Sequence, residues 1–125
     1  MSTQSMRQPI HSGHLTVGAL KRHRDNPVLF LGDTTLTGGQ LAERISQYIQ
    51  AFESLGAETV GLLSLNRPEV LMIIGAGQIR GYRRTALHPL GSLDDHAYVL
   101  ADAGVGALII DPTPAFVERA LGLLE

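Results

Sequence analysis

The stretch Thr59 to Leu65, Thr-Val-Gly-Leu-Leu-Ser-Leu, carries no charge and is mostly apolar. A run of strand length with two apolar faces requires cover on both, as in a parallel sheet held between helix layers. The flanking sequence supplies that cover. Helix-period segments and short strand-like runs follow one another in the order α-β-β-α-β-α-β-α-β-α. Such alternation implies right-handed βαβ crossovers. The expected fold is therefore α/β, a three-layer arrangement with a largely parallel sheet flanked by helices and an N-terminal β-hairpin. With 125 residues, no internal repeat and no low-complexity tract, a single domain accommodates it.

Local signals set the boundaries. Residues 1–14 are expected to be a disordered N-terminal segment, with the α/β unit spanning residues 15–125. Thr16 is placed to cap a short helix carrying Val17, Leu20 and His23, which stops before Asp25-Asn26-Pro27. Val28 to Leu31 and Thr34 to Leu36 flank Gly32-Asp33 and predict a hairpin. Thr37 and Gln40 have the spacing of a capping box, in which each side chain satisfies an orphan backbone N–H. Leu41, Ile45, Tyr48, Ile49, Phe52 and Leu55 then form one apolar stripe, and Gly56 is placed to stop the helix.

After the central strand, Asn66 and Glu69 repeat the capping pattern, with Pro68 in the first turn. Val70 to Ile79 is apolar nearly all round, which predicts a central helix ending at Gly81. Its Gly75 and Gly77 each disfavour a helix by about 1 kcal/mol against alanine, and make sense where another backbone packs closely. Tyr82 to His88 is a weaker strand. Ser92 with Asp95 caps a helix that runs through Val99, Leu100 and Ala103 to Gly104. Ala107 to Ile110 is expected to be a buried strand stopped by Asp111-Pro112, and Thr113-Pro114 opens a last helix that continues to Leu124.

Composition removes several classes of function. A net charge of −2 gives no reason to expect nucleic acid or an anionic membrane as partner. The absence of cysteine excludes a disulfide framework and a thiolate metal site. No apolar run approaches the roughly 18 residues of a membrane span, and polar Met1 to Gly13 is not a signal peptide. A soluble cytoplasmic protein is expected.

Candidate chemical motifs are sparse. Gly75-Ala76-Gly77-Gln78-Ile79-Arg80-Gly81 resembles a dinucleotide fingerprint, but Arg80 stands where the third glycine belongs, and the segment ends a helix. Helix packing accounts for it. Lys21, the one lysine, follows no phosphate-loop glycines. His11 and His14 have a spacing that two metal ligands could use, yet no third ligand lies nearby in sequence. His88 and His96 could meet across a turn beside Asp94 and Asp95, where exposed cap residues explain them equally well. Tyr98 is expected in the core with its hydroxyl at the rim.

Several pieces occur in a characteristic order and spacing. These are Leu36-Thr37, Leu55-Gly56, the strand leading to Asn66-Arg67-Pro68-Glu69, and Gly75-Ala76 through Gly81. Leu87-His88-Pro89, Tyr98-Val99-Leu100 and Ala107 to Asp111 follow. Over residues 15 to 120 the chain resembles the N-terminal part of the adenylate-forming acyl-CoA synthetases. It departs from that pattern in Arg83-Arg84-Thr85-Ala86-Leu87-His88-Pro89, where relatives have an apolar strand and a Pro-Leu-Asn-Pro turn. It departs again at His96, where leucine is common. The departures suggest an edge or a subfamily-specific surface.

The resemblance implies the N-terminal subdomain of the acyl-CoA synthetase fold. It implies a parent enzyme that activates a fatty acid or other small carboxylic acid with ATP and Mg²⁺ to an acyl-adenylate, then transfers the acyl group to coenzyme A. The family's phosphate loop, aromatic-Thr-Glu motif, ribose-binding Asp and C-terminal Lys have no matching positions here. No catalytic, cofactor-binding or metal residue is therefore assigned. The expected protein is an N-terminal fragment of a fatty-acid–CoA ligase, inactive by itself and prone to form homo-oligomers through a face left bare. A free-standing assembly or dimerisation module of the same fold, and part of an amino-acid or aryl-acid adenylation enzyme, are the alternatives.

Overall fold

The computed structural model describes residues 11–125, so the expectation for residues 1–10 lies outside the described residues. Ten elements follow in the expected order. Helix α1 covers Ser12–Arg22 and begins earlier than Thr16. The cap is His11, whose Nδ1 accepts from the Gly13 N–H at 3.0 Å. Thr16 lies inside the helix, where its hydroxyl reaches the Ser12 carbonyl at 3.1 Å and Gln78 Oε1 at 2.8 Å. Residues 11–14 thus belong to the folded unit, because an imidazole nitrogen does the capping that a hydroxyl was expected to do.

Strands β1 (Pro27–Leu31) and β2 (Thr34–Thr37) form an antiparallel hairpin, turned by Gly32 at φ +57°. Helix α2 (Gly38–Leu55) starts on a complete capping box. Thr37 Oγ1 accepts from Gln40 N at 3.2 Å, and Gln40 Oε1 accepts from Thr37 N at 2.9 Å. Gly56 ends it in the left-handed region, φ +66°. The apolar stripe holds except at its end. Ile45 and Phe52 are each 3% exposed, but Leu55 is 64% exposed, one turn beyond the cover of the neighbouring helix.

Strand β3 (Thr59–Leu63) is buried at all five positions. It is the middle of a three-stranded parallel sheet of order β4-β3-β5, with β4 at Arg83–Ala86 and β5 at Ala107–Ile110. Helix α3 (Pro68–Arg80) has Arg67 as its N-cap and no side-chain cap bond, so Asn66 does not play the capping part its spacing suggested. Proline at the first position removes one N–H that would need a partner. Helices α4 (Leu93–Asp102) and α5 (Pro114–Leu123) complete the chain. Ser92 caps α4 by accepting from Asp95 N at 3.1 Å.

The layers follow from the pleat of β3. Leu62 packs with Ile45 and Phe52 of α2 and with Met72, Ile73 and Ala76 of α3. On the opposite face a Cβ at Gly61 would stand 3.0 Å from Leu100 of α4. Helices therefore lie on both sides, which explains an uncharged central strand. β5, expected to be buried, is only half-buried because it lies at a sheet edge. β4 is the other edge and exposes Arg83, Arg84 and Ala86, while Leu87 beyond it is 4% exposed. Charges on an edge strand discourage pairing with another chain.

Close approach explains two of the glycines. A side chain on Gly75 would meet Ile45 Cδ1 at 2.8 Å, a side chain and not the expected backbone. One on Gly77 would meet the Tyr82 carbonyl oxygen at 3.2 Å, which is backbone.

Candidate functional site

In an open parallel sheet, ligands gather at the carboxyl ends of the strands, where successive connections leave to opposite faces. β3 and β5 define such a point. The chain leaves β3 toward α3, on the Leu62 face, and leaves β5 toward α5, which packs with α4 on the Gly61 face. Between them lies a cavity of about 240 Å³ with Val70, Ile73 and Ile109 in its walls and Tyr48, Arg67 and Asp111 among its polar groups.

Asp111 follows β5 directly, and its side chain is only 2% exposed. Its backbone N–H extends the sheet by donating to the Leu63 carbonyl at 2.9 Å. Its carboxylate accepts from Arg67 Nη1 at 2.7 Å, a charge-assisted bond that joins the ends of β3 and β5. That bond, and then the Asp111 charge, hold the Arg67 guanidinium above its ordinary pKa. Arg67 Nε also lies 3.5 Å from Glu69 Oε2, an oxygen that is buried without a hydrogen-bond partner among the described residues. Burial, and then the Glu69 charge, push the Tyr48 phenol above its usual value.

One cation thus faces two carboxylates, which leaves an acidic excess of one. That balance does not fit the polyphosphate of ATP, whose charge calls for convergent cations. Among the described residues no three His, Asp or Glu side chains gather as a metal would require. The crevice fastens two strand ends, and no step of adenylation is derived through it.

The remaining candidates are dispersed. The rings of His11 and His14 lie 5.4 Å apart, with His11 Nδ1 engaged in capping. Gly75 to Gly81 closes α3 and its junction to β4, with Gly81 in the left-handed region at φ +81°. Lys21 is in the last turn of α1, where it complements the helix dipole. Arg80 pairs with Glu53, and Arg83 Nε donates to Thr59 Oγ1 at 3.1 Å. Tyr98 is 70% exposed and not in the core, because it lies on the outer side of α4.

His88 and His96 do meet, but not as exposed cap residues. His96 is 3% exposed. Its Nδ1 lies 3.0 Å from Arg119 Nη1, which can only donate, so the proton is assigned to Nε2, which donates to the His88 carbonyl at 2.7 Å. Arg119 also donates to the Gly91 carbonyl at 2.8 Å. His88 itself accepts from Leu90 N at 3.1 Å, while Asp94 and Asp95 remain exposed in the first turn of α4. The group locks the Pro89–Gly91 turn against α4 and α5. His96→Ala should lower stability by about 1–3 kcal/mol, since it strands the His88 carbonyl and one Arg119 donor. A urea midpoint equal to that of the unmodified chain would contradict this assignment.

Sequence reasoning passed over Arg67, Asp111 and Arg119. A signal existed for the first two. Each stands immediately before a proline and just after an apolar strand run, the place where the sheet's carboxyl edge is built.

A layered α/β unit with a parallel sheet, an N-terminal hairpin and a crevice closed by an ion pair defines the fold of adenylate-forming enzymes. The profile of the AMP-binding enzyme family matches residues 18–124, and the chain belongs to that family. It is 79% identical over 127 aligned positions to the medium/long-chain-fatty-acid–CoA ligase FadD8 of Mycobacterium tuberculosis. That alignment covers 99% of this chain and 22% of FadD8, so the chain spans about a fifth of that relative's length. The fold also matches a benzoate CoA ligase from Burkholderia xenovorans, with a TM-score of 0.80 and 18% identity, over 93% of this chain and 24% of that one. The anthranilate CoA ligase AuaEII matches with a TM-score of 0.79 and 22% identity, over 99% of this chain and 25% of its own.

Proposed function

We propose that this chain is the N-terminal part of a fatty-acid–CoA ligase that uses ATP and Mg²⁺ to form an acyl-adenylate and passes the acyl group to coenzyme A. The observation that carries this reading is the 79% identity to FadD8 across 99% of the chain. So high an identity favours a ligase over a free-standing assembly module. The unit at residues 15–125 contributes scaffold, and the catalytic, cofactor-binding and metal residues belong to other parts of the polypeptide. The site of action is the cytoplasm, in keeping with described helices none of which is long and apolar enough to cross a membrane.

The deciding experiment is acyl-CoA formation by the full polypeptide with ATP, Mg²⁺ and coenzyme A, across acids from hexanoate to stearate. Medium- and long-chain acids should be turned over, and benzoate or amino acids should not. Preference for benzoate or an amino acid would move the protein to the aryl-acid or amino-acid branch. Calorimetry on residues 1–125 alone should show no Mg²⁺-dependent binding of ATP at micromolar concentration. Val117, Leu121 and Leu124 make an exposed apolar row along α5 and its end, 37%, 60% and 84% exposed. Residues 1–125 should therefore self-associate. Light scattering that finds a monomer at high micromolar concentration would remove that part of the reading.

A further inference from the structure

A second concavity lies away from the strand ends, between α1, α2 and α3. It is an open groove of about 410 Å³, within the size range of small-ligand sites. Val17, Leu20, Ile45, Ile49 and Ile79 give it apolar walls. Its charged lining residues are Lys21 and Arg24, and no carboxylate lines it. Neither cation forms a salt bridge among the described residues. Lys21 answers the dipole of α1, but Arg24 lies beyond that helix, so the dipole does not account for both. An apolar slot with two uncompensated cations complements one class of ligand, an apolar chain that ends in an anion.

We propose that this groove binds a monomeric amphiphilic carboxylate, its acyl chain along α2 and its head group held by Lys21 and Arg24. The site is separate from the strand-end crevice and needs no ATP, so it stands or falls apart from the ligase reading. The probe is decanoate, titrated below its micellar concentration into the chain by calorimetry, with far-UV circular dichroism confirming the native helix content. Saturable one-to-one binding is expected. Decanol, with the same chain and no charge, should bind about tenfold more weakly, and decyltrimethylammonium should not bind.

The double variant Lys21→Glu/Arg24→Glu alters only exposed side chains. It should weaken decanoate to the level of decanol and leave decanol unchanged. Ala42→Phe should fill the groove and abolish both. The proposal is overturned if the folded chain gives no saturable decanoate binding, if charge reversal leaves decanoate unaffected, or if decanoate and decanol bind alike. It is equally overturned if the chain sediments with anionic phosphatidylglycerol vesicles while showing no affinity for decanoate.

Discussion

Phe52→Ala should lower the unfolding free energy by about 3–5 kcal/mol, and Ile45→Ala by about 2–5 kcal/mol. Both side chains are 3% exposed and belong to the cluster that fastens α2 to α3 and to Leu62 of the central strand. Phe52 also meets Tyr82 edge-on, with ring centroids 5.5 Å apart and planes at 89°, a geometry that adds to its burial energy. Domains of this size have only about 5–15 kcal/mol of stability, so either change takes a large fraction of it. The controls are Glu43→Ala and Leu55→Ala. Glu43 is exposed, and Leu55 shares the sequence periodicity of Phe52 but is 64% exposed, so each should shift stability by only a few tenths of a kcal/mol. Urea midpoints decide the matter. Equal midpoints for Phe52→Ala and Leu55→Ala would show that α2 packs through another face.

Gly38→Ala should also be strongly destabilising, by about 3 kcal/mol, the upper end of the range for overpacking. Gly38 opens α2 against the end of α1, and its N–H lies 3.1 Å from the carbonyl oxygens of both His23 and Asn26. An added Cβ would run into the His23 carbonyl oxygen and stand 2.7 Å from that of Leu20. Both obstacles are backbone, so relief means moving α1 away from α2. Gly75→Ala is the informative contrast. Its Cβ would meet the flexible end of Ile45, which can shift, and alanine is favoured over glycine in a helix by about 1 kcal/mol. The two effects should nearly cancel. Thermal melts of the two variants should therefore diverge, with Gly38→Ala unfolding well below Gly75→Ala. If they coincide, the α1–α2 contact is looser than described.

Much of the architecture was legible because local signals carry it. The Thr37–Gln40 box, the Gly56 stop, the Gly32-Asp33 turn and the uncharged Thr59 to Leu65 run each depend on neighbours in sequence. Misreadings arose where the partner is remote. His11 resembles tail polarity until its ring nitrogen is seen to close the first turn of α1. His96 resembles a surface residue until Arg119, from another helix, supplies its second contact. Tyr98 has an apolar body, and nothing local reveals that its side of α4 faces outward. β5 is as apolar as β3, and only the strand order shows that it lies at an edge. The Arg67–Asp111 pair is the clearest case, since it joins residues 44 apart in sequence. Proline-adjacent charges at strand ends give the place of such a pair, but not its pairing.

The strand order has a consequence for how the chain acquires its structure. β3 is synthesised before either neighbour, yet it stands between them, and Val60 must wait for Ala107 to arrive. Contacts over such separations require loop closure before they give any return, and they slow folding. The hairpin, α1, α2 and α3 can assemble on local contacts while β3 still has an open flank. During that interval a wholly apolar segment displays unpaired backbone, the condition under which nascent chains stick to one another. The period of greatest vulnerability therefore falls before Ile110 has left the ribosome, and dependence on chaperones should be concentrated there.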